Sequence, residues 1–556
     1  MVSDPIAPLA RIVPLPSSRG PAAVPAPATH RIAVFTADPG YSVRKGIVEI
    51  DRTIPGLSWL IVHHRPRRTR KQVARNQWNL LKRNGWRWIP YQAGAVWKRL
   101  AERRAAVPVP AEHPGGDYTS EALAARTNIR ILRVPDIHGQ ASLDAIREFD
   151  PDLGLAISAP ILRPPVFTSP RRGSLTLHKG KAPDYRGMPP AFWELWNDEK
   201  EVGCTIQVVA EKLDAGDIVG RGSVPCGPHS TVRGITLRLD EVGVDLMRDA
   251  VRDTLAGTSH PEIQTGRGKT YRKPTLGQIA ALEGKLARAQ PPRRSPAVRA
   301  VKDSLFGMGH AAWRAGLGKV LAPRITVLLY HRVTDDARDD LTVGVEQFDR
   351  QMALLRRHCQ VLTIDQVLNA SEIDPAGKPQ VAVTFDDGYL DNHDNAAPIL
   401  ERHGIPAAFF VSTGLIGTAA QFPHDVRRGN APIPLMTWDH LRAMRDSGFE
   451  IGSHTVGHTS CASGTDEEIR SELERSRDDL QRELGVVSPI FAYPYGGRQH
   501  MTPGRLELVK QAGYRGCLAA YGGSNVARVD RFNVLRRGIH WEYSDRAFLF
   551  ECLGVR

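Results

Sequence analysis

From about Gly257 to Pro323 this sequence turns to Arg, Lys, Pro and Ala, most densely in Gln290-Pro291-Pro292-Arg293-Arg294-Ser295-Pro296. Basic, proline-interrupted sequence of this kind reads as an interdomain linker, so the stretches on either side must each build a core of their own. In both, β-rich runs alternate with helical stretches. Runs at 31–36, 58–64, 129–134, 153–158 and 174–178 are continuous apolar strands, as in a parallel sheet covered on both faces. Runs at 325–331, 381–385, 407–411, 449–453, 490–493, 516–519 and 533–537 predict roughly six or seven further parallel strands, fitting a (β/α) barrel or a distorted, incomplete one. The expected organisation is a disordered tail at 1–29, a first domain at 30–256, a linker at 257–324 holding a basic helix at 297–321, and a second domain at 325–556.

Composition narrows the class without choosing a function. The chain has 556 residues, 41% hydrophobic and 24% charged, which excludes collagen-like, disulfide-scaffold and wholly disordered proteins. A net charge of +14 suits anionic partners: nucleic acid, nucleotide-linked metabolites or an acidic membrane surface. Cys204, Cys226, Cys359, Cys461, Cys517 and Cys552 form no C-x-x-C pair, so a reducing compartment is the simpler reading. The N-terminal stretch alternates Pro and Ala and lacks the apolar segment of a signal peptide, and the expected location is the cytoplasm. The turn after the first strand, Thr36-Ala37-Asp38-Pro39-Gly40, lacks the G-x-G-x-x-G fingerprint, so a dinucleotide is not expected.

Three polar clusters close strands of the second series: Thr384-Phe385-Asp386-Asp387-Gly388, Ser453-His454-Thr455-Val456-Gly457-His458, and Tyr493-Pro494-Tyr495-Gly496. In a barrel, side chains at the C-terminal strand ends gather into one cleft. Two histidines four residues apart can aim at one ion. With one carboxylate they make an N/N/O set that leaves positions open for water and substrate. A neighbouring carboxylate can then take a proton from the metal-bound water. A 2-His-1-carboxylate oxygenase is the competing reading, but it has no use for a second aspartate.

Residues 325–556 resemble the polysaccharide deacetylase family, the NodB homology domain of carbohydrate esterase family 4. The matching residues are Leu329-Tyr330-His331, the TFDDG run at 384–388, Gly452-Ser453-His454-Thr455 with His458, and Ala492-Tyr493-Pro494-Tyr495-Gly496. The resemblance implies Asp386 as catalytic base, Asp387, His454 and His458 as ligands of a divalent metal, most plausibly zinc, and Tyr495 in the motif whose backbone N–H holds the oxyanion. It makes His540 the nearest candidate for a general acid.

In the first series the densest stretch runs from Leu175 through His178, Lys179, Gly180, Pro183, Tyr185, Arg186 and Gly187 to Pro190, followed by Leu213-Asp214-Ala215-Gly216-Asp217-Ile218. A strand-end histidine, a Gly/Pro-rich loop and an aspartate on a later turn can form a proton-handling pair. They can equally be a capped histidine and a turn former. The set resembles the formyltransferases that act on methionyl-tRNA, glycinamide ribonucleotide and amino sugars, over residues 30 to about 256. That resemblance implies N10-formyltetrahydrofolate as donor, His178 stabilising the oxyanion, Asp214 assisting proton removal from the amine, and Tyr185, Arg186 and Gly187 in the substrate loop. The family usually has Asn two residues before the histidine; here it is Thr176, whose hydroxyl or a water on it could stand in for the amide.

Residues 65–104 interleave Arg65, Arg67, Arg68, Arg70, Lys71, Arg75, Lys82, Arg83, Arg87, Lys98, Arg99, Arg103 and Arg104 with Trp78, Trp86, Trp88 and Trp97. Such a mix suits RNA, a diphosphate-linked sugar or a peripheral membrane contact, or else a solvated helical face with tryptophans packed inward. The expected protein is α/β, a Rossmann-like formyltransferase domain followed by a distorted (β/α) barrel of the NodB type. It would N-deacylate and N-formylate an amino sugar, nucleotide- or lipid-linked. The alternatives are a plain deacetylase whose first half only binds substrate, and a tRNA-directed formyltransferase. No basic β-barrel follows Asp214, so nucleic acid is not the expected partner.

Overall fold

The computed structural model describes residues 11–12, 30–66, 69–85, 88–90, 116–265, 268–288, 324–370, 378–428, 432–487, 489–526 and 528–554. Most of the 1–29 tail, the helix expected at 297–321, and Arg67, Arg68, Trp86, Arg87 and residues 91–104 lie outside them. The chain divides into two compact units, one ending at Ala289 and the other beginning its main span at Gln290.

The first unit is built on β1 (His30–Thr36), β2 (Leu57–His64), β3 (Ile129–Val134), β4 (Leu153–Ala156), β5 (Ser174–His178), β6 (Glu201–Val208) and β7 (Ile218–Pro225). They lie in the order β3-β2-β1-β4-β5-β6-β7. The first five are mutually parallel, whereas β6 and β7 continue antiparallel. Alternation along β1 sends Ile32 and Val34 to one face and Ala33 and Phe35 to the other. The former pack with Val43 and Ile47 of the helix Tyr41–Thr53 and with Met247 and Val251 of the helix Val232–Ala256. The latter pack with Ala145 and Ile146 of the helix Gln140–Phe149. Each fully buried side chain of this size stabilises the fold by about 1.5–3 kcal/mol. The strand order reverses at β1, where β2 lies on one side and β4 on the other. At such a reversal a crevice opens beyond the strand ends, and His178 closes β5 on that side.

Two expectations need correction. Arg11–Ile12 are not part of a featureless tail, because they pair antiparallel with Arg133 and Leu132 of β3. The linker also begins later than residue 257. Thr270–Tyr271 pairs in parallel with Arg186–Gly187, and the helix Leu276–Arg288 packs Ile279, Leu282 and Leu286 against Phe192, Leu195 and Val202. Three apolar residues at helical spacing suffice to dock that helix, and the surrounding Arg and Lys hid the stripe.

The second unit runs through β8 (Ile325–Tyr330), β9 (Gln360–Leu362), β10 (Gln380–Phe385), β11 (Ala408–Val411), β12 (Glu450–Ser453), β13 (Phe491–Ala492), β14 (Cys517–Leu518) and β15 (Arg536–Gly538). The order is β14-β13-β12-β11-β10-β8-β15, with β9 beside β10, and all pairings are parallel. The two ends meet: Val534 N–H donates to Cys517 O at 3.1 Å, and Ala519 N–H to Val534 O at 2.8 Å. These bonds close the sheet into a small barrel, in agreement with the expected (β/α) architecture. Ile325, Val327, Ala382, Ala408, Phe410, Ala492 and Leu518 form one buried cluster. A Cβ on Gly452 would lie 2.5 Å from the Phe410 ring, so only glycine lets β12 pass that side chain. Among the described residues no helix is long and apolar enough to cross a membrane.

Candidate active sites

In the second unit the ends of β10 and β12 and the strand β15 bring five side chains together. Alternation along β10 places Asp386 on the same side as Thr384 and Ala382, and Arg536 of β15 reaches it across the barrel. The fully buried guanidinium donates from Nη1 and Nη2 to Asp386 Oδ1 and Oδ2 at 2.7 Å each, and from Nε to Ala519 O at 2.8 Å. Burial alone would raise the Asp386 carboxyl, but Arg536 and then His454 outweigh it and hold it below the usual carboxylate range. A planar two-pronged pairing of this kind also fixes the carboxylate's orientation.

Asp387 faces the other way. Its Oδ1 lies 3.5 Å from His454 Nε2 and 3.3 Å from His458 Nε2. Neither of its oxygens has a hydrogen-bond partner among the described residues, although the residue is buried. Burial pushes its carboxyl up, and the two histidines overrule burial and hold it well below the ordinary value. His454 Nδ1 lies 2.7 Å from Ala492 O. A carbonyl only accepts, so Nδ1 carries the hydrogen and the Nε2 lone pair is left for Asp387's side. One atom from each of Asp387, His454 and His458 lies within 4.8 Å of the others. Two imidazole nitrogens and a buried carboxylate without a donor fit a divalent cation such as zinc. The backbone is strained here: Asp387, Thr455, His458 and Tyr495 have φ of 79°, 64°, 57° and 62°. Such left-handed conformations cost of order 1–3 kcal/mol each outside glycine and cluster at functional sites.

The remaining expected residues are placed unequally. Tyr495 is 44% exposed, its ring 4.8 Å from that of His458, at the mouth of the cluster. His540 follows β15, packs its ring against Tyr543 at 4.9 Å and accepts the Glu542 N–H at Nδ1; it is not among the groups that converge on Asp387. Arg536 and His424 were not anticipated. Arg536 left one trace in the sequence, a cation two residues beyond Val534 on a strand whose alternation points it inward. His424 left none. His331, noted only as part of a motif, lies in the field of Asp387 and Asp386, yet burial keeps its imidazole below the ordinary value.

In the first unit His178, at the end of β5, lies with Nε2 2.7 Å from Tyr185 O and Nδ1 3.5 Å from Asp214 Oδ2. Nε2 therefore carries the hydrogen toward Tyr185, and Nδ1 is the nitrogen that faces Asp214. The Gly187 N–H donates to Asp214 Oδ2 at 3.1 Å, so the loop between the two residues holds both. Gly180 makes this possible, because a Cβ there would sit 2.4 Å from Tyr185 O and 2.5 Å from His178 Nε2. Below the loop, Glu194 is buried; burial and then Glu199 push its carboxyl up to about 7, against the pull of its own and the Lys181 backbone N–H.

The loop residues expected to meet substrate all have internal partners. Tyr185 stacks on Tyr271 at 5.3 Å and donates its hydroxyl to Glu199. Arg186 is buried and bonds Gln264, which in turn donates to the backbone of Asp214 and Gly216. Thr176 donates its hydroxyl to Ala156 O at 2.9 Å. A hydroxyl has a single hydrogen, so in this arrangement it is spent within the sheet and not on an oxyanion, contrary to the substitution expected for the family's Asn. Of the Arg/Trp stretch, the helix Arg70–Asn84 is described, and Trp78 on it is 57% exposed with Lys82 Nζ 5.5 Å over its ring. That tryptophan does not pack inward.

Comparison with known proteins finds two families in the two regions. Residues 111–251 match the family model for formyl transferase, and residues 374–517 match that for polysaccharide deacetylase. The chain thus joins a formyltransferase domain to a polysaccharide deacetylase domain. A methionyl-tRNA formyltransferase of Roseiflexus castenholzii is 27% identical over 256 residues, 46% of this chain and 76% of that relative. The one of Geobacter sulfurreducens is 30% identical over 138 residues, 25% of this chain, which therefore spans only 44% of that relative's length. Among solved structures, a Streptococcus pyogenes deacetylase in complex with acetate is 24% identical, covering 41% of this chain and 97% of that one at a TM-score of 0.35. A sugar N-formyltransferase from Shewanella is 14% identical, covering 46% and 86%, with a TM-score of 0.28.

Proposed function

We propose that the protein modifies the nitrogen of an amino sugar, removing an N-acyl group in its second domain and formylating an amine in its first. The observation that carries the hydrolytic half is the Asp387 carboxylate, buried between His454 and His458 without a hydrogen-bond donor. A divalent metal held by these three residues supplies a water of lowered pKa and polarises the acyl carbonyl. Asp386 accepts the proton of the attacking water at a carboxylate oxygen. Arg536 keeps that carboxylate ionised and aimed. Tyr495, at the mouth, stands in the segment whose backbone N–H holds the developing oxyanion.

In the first domain N10-formyltetrahydrofolate is the formyl donor. Asp214 takes a proton from the attacking amine, and His178, on turning its N–H away from Tyr185 O, stabilises the negative oxygen that forms at the formyl carbon. Deacylation exposes an amine and formylation consumes one, which gives the fusion chemical sense. Reduced folate is a cytosolic donor, so we place the reaction in the cytoplasm, on a nucleotide- or lipid-linked precursor. A second reading is favoured by Thr176, whose hydroxyl is committed to Ala156: the first domain then binds substrate and leaves it unformylated.

One experiment separates these readings. The protein is incubated with nucleotide- and lipid-linked N-acetyl sugars and, separately, with methionyl-tRNA, with and without formyl-folate, and products are weighed by mass spectrometry. A deacylated sugar that gains a formyl group only with folate supports the bifunctional reading, and Thr176→Asn then raises the formylation rate by up to ~10²-fold by adding an oxyanion donor. Deacylation with folate inert supports the second reading. Formylation of the tRNA alone overturns both.

A further inference from the structure

We propose that His424, Tyr389 and Asp425 form a positioning layer behind Asp387 that fixes which of its carboxylate oxygens faces the metal. The inference rests on the deacetylase reading of this site. It concerns the side of Asp387 away from His454 and His458: those two histidines lie beside Oδ1, and His424 Nε2 lies 3.6 Å from Oδ2.

The hydrogen-bond chain behind His424 determines what that nitrogen presents. Tyr389 is fully buried and donates its hydroxyl to Asp425 Oδ2 at 2.7 Å. The same hydroxyl oxygen lies 2.9 Å from His424 Nε2. Tyrosine has one hydroxyl hydrogen, and it goes to Asp425, so the contact with His424 requires the hydrogen to sit on Nε2. That hydrogen points at the Tyr389 hydroxyl oxygen, and the protonated Nε2 lies off its N–H axis beside two carboxylate oxygens, Asp387 Oδ2 at 3.6 Å and Asp425 Oδ2 at 3.7 Å. At these distances both are electrostatic contacts and not hydrogen bonds, but the site is buried, where such contacts are less screened.

Phe422 braces the arrangement. Its ring stacks on His424 at 5.3 Å with an interplanar angle of 15° and meets His458 edge-on at 5.1 Å and 74°. One short segment, residues 422–425 between β11 and β12, therefore touches both a presumptive ligand and the layer behind another. The two oxygens of the carboxylate are thereby distinguished: Oδ1 lies beside His454 and His458, and Oδ2 beside the protonated Nε2 of His424. One-oxygen binding keeps coordination positions open for water and substrate, as a hydrolytic site needs. Residues that orient a ligand from behind typically change metal affinity by ~10–100-fold when removed.

The test uses the full-length protein stripped of metal with a chelator, then titrated with Zn²⁺ against a chromogenic competitor and with Co²⁺ by absorption. His424→Ala should weaken Zn²⁺ binding by ~10–100-fold and shift the Co²⁺ spectrum. His424→Gln, which keeps an N–H donor in reach, should restore most of the affinity. Tyr389→Phe should weaken binding by less than His424→Ala, and the double variant should lose no more than His424→Ala alone, since members of one chain are not additive. Wild-type affinity in His424→Ala overturns the proposal, as does equal weakening by Gln and Ala, which would make shape alone responsible. Should His424→Ala fail to fold in a thermal melt, wild-type affinity in Tyr389→Phe overturns it instead. A wild-type protein whose titrations match those of Asp387→Ala overturns the deacetylase reading itself.

Discussion

The aspartate of the first site accepts a backbone N–H, Gly187 to Asp214 at 3.1 Å, and its histidine is tied to a carbonyl, Tyr185 O, at 2.7 Å. In the second site the aspartate between two histidines accepts no hydrogen bond among the described residues, and the nearby guanidinium of Arg536 is spent on the neighbouring Asp386. One pair is complete within its own loop. The other gathers two imidazoles around a buried carboxylate, the donor set of the proposed metal. The contrast suits the two chemistries: proton handling by a self-contained pair needs no ion, whereas attack by water on an amide draws on one.

The sharpest way to break this contrast is Asp387→Ala. Metal content should fall to zero and hydrolysis to background, measured by elemental analysis and by acetate release, while formyl transfer continues. A chelator-treated wild type that keeps full hydrolysis would remove the contrast altogether. Next in size is Asp386→Asn, which should lower hydrolytic kcat by ~10²–10⁴-fold, the scale of a lost general base, with metal content retained. A metal-free Asp386→Asn protein would mean that the two aspartates have exchanged roles.

On the other side of the comparison, Gly180→Ala should lower formyl transfer by ~10²-fold, because the added methyl forces Tyr185 or His178 aside and small misplacements cost that much. Hydrolysis should be unchanged, since sites in separate units act independently; a parallel fall in both activities would contradict that independence. The smallest effect concerns stability. The Glu194 carboxyl sits at about 7 in the folded protein against an ordinary 4.5, so between those values the folded state holds more proton than the unfolded one. Stability of the first unit should thus fall by up to ~3 kcal/mol as pH rises through this window and level off above it. Glu194→Gln should flatten the profile, as followed by urea unfolding from pH 4.5 to 8. An unchanged slope in that variant would clear Glu194 of the effect.

What could be read in advance follows the distance over which each feature is encoded. Asp386, Asp387, His454 and His458 stand in short runs at strand ends, so spacing alone brings the donors into view. The parallel strands were equally plain, being apolar runs separated by helices. Arg536 reaches Asp386 from 150 residues away, with only the alternation of its strand to mark it, and His424 arrives on a short segment between two strands with no local pattern at all. Composition misled at the linker, where basic residues surround the three apolar positions that dock the helix Leu276–Arg288. At Trp78 composition left two readings open, and the fold, which leaves that residue exposed, excludes inward packing there.

The ring closure of the second unit also sets an order in time. A ribosome emits β10 well before β15, so Asp386 waits through 150 further residues as a carboxylate destined for the interior without its guanidinium. Burying it alone would cost several kcal/mol, so the end of β10 is expected to stay wet until Arg536 arrives and the last strand docks. Contacts of such long sequence separation are slow to form. The proposed catalytic centre is accordingly the last part of the barrel to mature, and a chain interrupted before residue 536 would carry all three proposed metal ligands and still lack the partner that fixes Asp386.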